Sequence, residues 1–152
     1  MYNPDGLKII TKNDPTLRQK SKKISDVGDP KIQDTIKNMI KTLKLNNGIG
    51  LAAPQIGKLI RLFVIELDYK LYVIINPEIK HISKDRIAME EGCLSFPGIF
   101  YQIIRNKKIT IKYIDQFGQK QTLKAKGILA RAIQHEIDHL DGVLFIDKKD
   151  AK

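Results

Sequence analysis

The segment over residues 128–140 constrains the fold most, because it is apolar around much of a helical circumference. Two rows of side chains recur in it at helical spacing: Leu129, Ile133, Ile137 and Leu140 in one row, and Ile128, Ala132, His135 and His139 in the other. A helix that is apolar on most sides is buried within its domain. The sequence therefore predicts a buried C-terminal helix over about residues 128–140, ended by Asp141-Gly142.

The elements before this helix predict an α+β fold. Asp29-Pro30 is typical of an N-cap followed by proline at the first helical position, so an amphipathic N-terminal helix is expected over residues 30–45. Because helices and strands do not alternate, we expect antiparallel β-sheets around the central C-terminal helix. The remaining predictions are an irregular arm over residues 1–28, strands over 61–67, 71–76, 108–114 and 121–126, a turn-rich segment over 90–98, and a short strand over 143–146.

Length and composition are typical of one soluble domain. The chain has 152 residues, 29% of them charged, and we expect a single domain over residues 1–152. No apolar run reaches the roughly 18 residues of a transmembrane helix, and Met1–Ile10 lacks the apolar core of a signal peptide. We therefore expect no membrane partner and a cytoplasmic location. The formal net charge of +10 comes from scattered, mostly short lysine clusters, which favours solvated faces over a sequence-specific nucleic-acid site.

The C-terminal helix carries the pattern His135-Glu136-Ile137-Asp138-His139. Imidazoles at i and i+4 lie on one helical face and can both reach one ion about 2 Å away. Glu136 projects beside them, within reach of a water on that ion. The alternative is a solvated surface pair, but this helix is predicted to be buried. Buried polar groups without partners are costly, and a metal ion would provide the partner.

A catalytic metal site needs a third protein ligand and one open position. The metzincin-type pattern fails because Phe145 stands at its third histidine position, and no glutamate follows His139 to complete a thermolysin-like site. The third ligand must therefore come from upstream. The candidates are Cys93, His81 and a carboxylate. Cys93 has a glycine beside it, which allows close approach to a metal, whereas His81 lies in a polar segment that favours solvation.

Three segments together resemble peptide deformylases. They are Gly48-Ile49-Gly50-Leu51-Ala52-Ala53-Pro54-Gln55, Glu91-Gly92-Cys93-Leu94-Ser95 and His135-Glu136-Ile137-Asp138-His139-Leu140. They occur in the family's order and at family-like separations, and Asp14–Arg18 and Asn76-Pro77 extend the likeness along the chain. Three complete motifs in register are a specific signal, whereas any one of them alone is a moderate one.

The resemblance implies Cys93, His135 and His139 as metal ligands, with water as the fourth ligand. It implies Fe(II) as the usual metal, with zinc, nickel or cobalt as substitutes; residue chemistry alone would favour zinc. The implied reaction removes the formyl group from the N-terminal methionine of new peptides. Glu136 takes a proton from the metal-bound water, hydroxide attacks the formyl carbon, and Glu136 passes the proton to the departing amine. The Gln55 amide and the Leu94 backbone N–H are implied to stabilise the charge on the formyl oxygen.

Further residues follow from position against the family. The resemblance implies an apolar pocket for the methionine side chain, formed by Ile49, Met89, Ile128 and Ala132, although ordinary core packing fits the same spacing. The backbone of Gly48–Gly50 can pair with the substrate as an added strand. Asp138 and Glu91 are candidates to orient the histidines, with surface charges as the alternative.

Two features depart from the family pattern. Phe100 stands near the place where some relatives have a substrate-binding arginine, so Arg131 is expected either to compensate or to face solvent. The sequence ends at Lys152, where many relatives continue with a C-terminal helix.

The rival functions are a metalloprotease and a basic module for RNA or the ribosome. The expected partners are a formyl-methionyl peptide and the ribosome surface, and the expected state is a monomer.

Overall fold

The computed structural model describes residues 5–150. The α+β class and the central C-terminal helix are confirmed. Short 3-10 turns occur at Pro15–Arg18, Ala53–Ile56 and Phe145–Lys148. The helices and strands, in chain order, are α1 (Pro30–Leu45), β1 (Gly50–Ala52), β2 (Leu62–Leu67), β3 (Lys70–Ile82), β4 (Arg86–Cys93), β5 (Phe96–Asn106), β6 (Lys108–Ile114), β7 (Lys120–Lys126) and α2 (Gly127–Leu140).

The strands form two antiparallel sheets. Five strands make one sheet in the order β1-β2-β3-β6-β7, and β4 and β5 make a separate two-stranded sheet. The predicted 108–114 and 121–126 hairpin is β6–β7, in which Ile111 pairs with Leu123 and Lys108 pairs with Lys126. Since β1 and β7 are the terminal strands of the order, each has one edge without a strand partner within residues 5–150.

Helix α1 begins where its sequence signals place it. The Asp29 side chain accepts a hydrogen bond from the Lys31 backbone N–H, and Pro30 occupies the first helical position. Its buried face, including Ile36, Met39 and Leu43, packs on the apolar face of β2 and β3. The predicted bounds of this helix, residues 30–45, match the observed ones.

Helix α2 packs on the other side of the five-stranded sheet. Ala130, Ile133 and Leu140 are fully buried in a cluster with Phe63 and Ile111 from that sheet. The helix ends at Leu140, and Gly142, two residues later, has a φ of +73° and lies so close to the Arg18 carbonyl that an added Cβ would collide with that oxygen. The end of α2 is therefore tightly fitted against the N-terminal segment.

Two local predictions were wrong. Most of residues 90–98 belong to strands β4 and β5, with only Leu94-Ser95 as the turn between them. Residues 143–146 form no strand: the Asp147 carboxylate accepts the Leu144 backbone N–H at 3.0 Å and starts a 3-10 turn. Leu144 and Phe145 are buried at that turn, so these apolar side chains are removed from solvent without a strand partner.

Over residues 5–150, no helix combines the length and apolar character needed to cross a membrane.

Candidate metal centre

Three candidate ligands meet between the two-stranded sheet and α2. Cys93 ends β4, while His135 and His139 lie one turn apart on α2. Their ligand atoms all lie within 4.8 Å of one another, and Cys93 Sγ is 3.4 Å from His139 Nε2. A helix and a neighbouring hairpin therefore present one thiol and two imidazoles to a single point.

A buried carboxylate fixes the orientation of His135. Its Nδ1 lies 2.9 Å from Glu91 Oε1, which leaves Nε2 as the nitrogen that faces Cys93. Two buried arginines hold Glu91 in turn. Arg105 donates to both carboxylate oxygens, at 2.9 and 3.0 Å, and Arg131 donates to Oε2. This arrangement is the kind of outer support that metal-binding histidines commonly have.

These contacts shift the pKa values of both partners. Burial alone would raise the pKa of Glu91, but hydrogen bonds from His135 and Arg105 lower it well below 4.5. Burial alone would lower the pKa of His135, but hydrogen bonds with the Cys93 sulfur and Glu91 raise it to about 10. The surroundings of His135 therefore favour a positive charge at the nitrogen that faces Cys93, which a proton or a metal cation can supply.

Glu136 lies beside the three candidate ligands with an unsatisfied carboxylate oxygen. Its side chain is buried, and Oε2 has no hydrogen-bond partner among residues 5–150. Burial raises its pKa to about 7. Gly50 of β1 leaves room for it, because a Cβ at Gly50 would lie 2.6 Å from Glu136 Oε1. A buried carboxyl group with such a pKa can both accept and release a proton near neutral pH.

Gln55 aims its side-chain amide at the same point. Its Oε1 accepts the Ala52 backbone N–H at 2.9 Å, which fixes the amide so that Nε2 donates to Ser95 Oγ at 3.1 Å. Nε2 also lies 3.5 Å from Cys93 Sγ. Gln55 is 1% exposed, so this N–H donor is held in place by the fold. Leu94, in the β4–β5 turn, lines the cleft beside it.

The candidate centre opens into a cleft of about 600 Å³. Ile49 and Ile128 are 45% and 47% exposed, and Phe100, which also lines the cleft, is 60% exposed. An apolar wall with a few fixed polar groups is typical of a small-ligand site. All six residues predicted to bind substrate line this cleft: Gly48, Ile49, Gly50, Met89, Ile128 and Ala132.

Other candidates lie elsewhere or act differently. His81 is exposed on β3, away from the three-residue group. Asp138 accepts from Arg105 at 2.6 Å and from Lys148 at 2.9 Å. The alternative that Arg131 faces solvent was wrong, since it is 7% exposed and binds Glu91 and the carbonyls of residues 87 and 103. Arg131 is buried because the charged carboxylate of Glu91 on the hairpin needs a partner on α2.

Sequence reasoning missed Arg105. This residue is 3% exposed and links Glu91 to Asp138, so it joins the two-stranded sheet to α2. The available signal was a single arginine after residues 99–104, which are apolar except for Gln102. A buried arginine almost always has a carboxylate partner, and the motif residue Glu91 was available.

The residues fit a bound divalent metal. The His139 side chain is buried with Nδ1 unpaired among residues 5–150, and burial lowers its pKa, which keeps the imidazole in the neutral form that coordinates metals. One thiol and two imidazoles suit zinc, iron, nickel or cobalt. Three protein ligands would leave a coordination position for water or substrate, and Glu136 follows directly on the ligand candidate His135. This is the arrangement of a mononuclear metal-dependent hydrolase.

Comparison with known proteins identifies the family. Residues 6–152 match the family model described as polypeptide deformylase. The peptide deformylase of Thermodesulfovibrio yellowstonii is 47% identical over 148 residues, covering 93% of this chain and 88% of that protein. The crystal structure of a Synechococcus elongatus peptide deformylase with actinonin superposes with a TM-score of 0.93 at 41% identity, covering 100% of this chain and 82% of that one. The Thermotoga maritima peptide deformylase gives 0.91 at 42% identity, covering 94% and 97%. The chain belongs to the peptide deformylase family.

Proposed function

We propose that this enzyme removes the formyl group from the N-terminal methionine of new peptides and releases formate. The family's general activity is metal-dependent deformylation, and the group Cys93, His135 and His139 is where a metal could bind. The observation that carries the proposal is the meeting of this group with the buried carboxyl group of Glu136 at the base of an apolar cleft.

Cys93 Sγ and the Nε2 atoms of His135 and His139 are the proposed ligands. When bound, a divalent ion would lower the pKa of a water molecule in the open position and polarise the formyl oxygen. We propose Fe(II) for this role, with zinc, nickel or cobalt as working substitutes. Glu91 keeps Nε2 of His135 aimed at Cys93, because it holds the other ring nitrogen.

Glu136 is the proposed general base and then general acid. Its carboxylate accepts a proton from the attacking water as the new C–O bond forms. It then delivers that proton to the amine nitrogen as the C–N bond breaks, so formate and a free N-terminus result. Burial raises the pKa of this carboxyl group, which favours its holding the proton between the two steps.

Negative charge develops on the formyl oxygen during the attack. The proposed donors to this oxygen are the Gln55 side-chain amide and the Leu94 backbone N–H. The amide of Gln55 is already fixed by Ala52 and Ser95, so little reorganisation is needed when the charge appears.

The cleft supports a methionine side chain and an extended peptide. Ile49, Met89, Ile128 and Ala132 are proposed to contact the methionine, for which Phe100 provides a further apolar surface. Gly48 and Ile49 lead into Gly50, the first residue of the terminal strand β1, and we propose that the peptide backbone pairs with Gly48–Gly50. We further propose a single catalytic domain over 1–152, a monomeric state, a cytoplasmic location and work near the ribosome surface.

Formate release from a formyl-methionyl dipeptide tests the proposal. The protein is purified without oxygen, and metal content is measured beside activity. Wild type should release formate, Glu136→Ala should lose activity by at least about 100-fold, and Glu78→Ala, an exposed carboxylate on β3, should match wild type. Absence of release by metal-loaded wild type would overturn the substrate assignment. Cleavage of internal peptide bonds, with metal retained in Cys93→Ala, would instead indicate a metalloprotease.

A further inference from the structure

One face of the β6–β7 hairpin carries an unusual concentration of lysines. On the side of the sheet occupied by α1, alternate residues of these strands point away from the α2 core, whose contacts are made by Ile109, Ile111, Leu123 and Ala125. We call the outward set the lysine face, and it consists of Lys108, Thr110, Lys112, Lys120, Thr122, Lys124 and Lys126. It holds five of the chain's 27 lysine and arginine residues.

The strand register places these charges close together. Lys108 lies directly opposite Lys126, and Lys124 is opposite Thr110 in the next outward row. Cross-strand neighbours have Cβ atoms about 5 Å apart, and like charges in such pairs destabilise a sheet. Soluble surfaces commonly intersperse charges of both signs. Instead, the outward positions of both strands contain no carboxylate.

Ion pairs with neighbouring carboxylates do not neutralise the lysine face. Glu78 of β3 lies opposite Lys112 and attracts it, but the ion pair of Glu78 is with Lys80, at 2.9 Å. Among residues 5–150, none of the five lysine ammonium groups of the face takes part in an ion pair. Beyond Lys112 on β6, the next outward residue is Ile114, which is partly buried against the cluster beneath α1. The charge is thus confined to an open area next to that helix.

We propose that the lysine face binds the phosphodiester backbone of RNA without reading its sequence. Lysines on alternate strand positions lie roughly 7 Å apart, in two rows that can contact several phosphates at once. The exposed positions of the face include no large apolar side chain of the kind that enters a membrane surface. The face contains no aromatic side chain that could stack on bases, so the proposed recognition is electrostatic. The choice of RNA rests on the proposed function, since formylated peptides are newly made on the ribosome, which contains RNA.

Fluorescence anisotropy with a 20-base-pair RNA duplex of arbitrary sequence tests this inference. The face variant replaces four lysines by glutamine: Lys108, Lys112, Lys124 and Lys126. The matched control replaces four exposed lysines elsewhere: Lys8, Lys20, Lys31 and Lys37. Both variants carry the same net charge, so a difference between them reports the location of the charge. A DNA duplex and vesicles containing anionic phosphatidylglycerol are tested in parallel.

Wild type should bind the RNA duplex at about 50 mM salt, and the face variant should bind at least about tenfold more weakly. Its plot of log affinity against log salt should be shallower by about 3 to 4, since each lost phosphate contact removes about 0.9. The control variant should lose less than about threefold. Equal losses in both variants, absence of RNA binding by wild type, or tighter binding to vesicles would overturn the inference.

Formate release by both variants separates this test from the proposed function. None of the eight substituted lysines lines the cleft, so both variants should retain wild-type activity. A wild-type protein that binds RNA as expected but releases no formate would contradict the proposed function while leaving the lysine face supported.

Discussion

His135 Nδ1 lies 2.9 Å from Glu91 Oε1, so one candidate ligand on α2 is oriented by a carboxylate on the neighbouring hairpin. We expect Glu91→Gln to weaken zinc binding about 10- to 100-fold, because the amide neither holds the imidazole as firmly nor balances Arg105 and Arg131. Competition with a chelator measures the affinity. Glu90→Gln, which alters an exposed residue on the same strand, is the control and should bind zinc like wild type.

Gly50→Ala should reduce turnover without unfolding the protein. A Cβ there would lie 2.6 Å from Glu136 Oε1 and 3.1 Å from its Cγ, so the carboxyl group must move. A displacement of this size in a catalytic group lowers kcat by about 100-fold. Gly28→Ala, where the nearest atom is 3.4 Å from the added Cβ, is the control. Equal kcat values for the two variants would argue against a role for the position of Glu136.

Gly142→Ala should destabilise the fold by about 3 kcal/mol. Alanine at a φ of +73° is strained by about 1–2 kcal/mol, and its Cβ would also lie 2.4 Å from the Arg18 carbonyl oxygen. Gly118→Ala isolates the first effect, because Gly118 has a φ of +81° but no atom within 4 Å of the added Cβ. Urea unfolding of both variants should give the larger loss for Gly142→Ala. Equal losses would show that the contact with Arg18 is relaxed.

The ion pair between Arg18 and Asp147 should make stability depend on pH in the acid range. The Arg18 guanidinium, 2.6 Å from Asp147 Oδ2, holds the pKa of that carboxyl below its ordinary 3.8. A carboxyl whose pKa is lower in the folded state stabilises the fold above its unfolded pKa, and this contribution is lost as pH falls through the folded value. The side chains are 49% and 37% exposed, so we expect only about 0.2–1 kcal/mol.

Comparison of wild type with Asp147→Asn checks the sign. Urea unfolding at about pH 7 should show wild type to be more stable, and the difference should shrink as the pH falls below 3.8 and through the lowered pKa of Asp147. A difference that stays constant over this range would show that the charge of Asp147 is not its cause.

Lys108→Glu should stabilise the isolated protein. Glutamate there would face Lys126 across the hairpin and replace a repulsive pair by an attractive one, which is worth about 0.2–1 kcal/mol. Thermal unfolding should show a midpoint higher by roughly 1–3 °C. Lys20→Glu, at an exposed position outside the helices and strands, controls for net charge. If the control gives the same gain, repulsion within the β6–β7 pair is not the cause.

The sequence predicted those elements whose signals are local. Asp29 and Pro30 begin α1, and periodic apolar residues define α2, so both helices could be placed within one or two residues. Strands β4 and β5 escaped prediction because a two-stranded sheet is exposed over much of both faces, and the burial of β4 does not alternate regularly. Without that alternation, the motif around Cys93 resembles a series of turns.

The candidate site could be predicted only in part for a similar reason. The spacing of His135 and His139 follows from helix geometry, whereas Cys93 remained one of several possibilities until the family resemblance was considered. The contacts of Arg105 and Arg131 with Glu91 join residues at least fourteen positions apart in the chain. Such long-range ion pairs depend on how the hairpin packs on α2, and no local pattern encodes them.

Because of the position of the two-stranded sheet, metal binding can be detected as a change in the local stability of β4 and β5. A sheet of two strands is marginally stable alone, and β4–β5 is attached to α2 through Arg105, Arg131 and the candidate ligand Cys93. An ion bound at Cys93, His135 and His139 would crosslink these two pieces. Hydrogen exchange in residues 86–106 should therefore slow on loading, while the amides of the five-stranded sheet change little. Hydrogen exchange in this hairpin would therefore report the fraction of enzyme with metal bound. In an enzyme that loses its ion, this segment would be the first to become accessible to proteases.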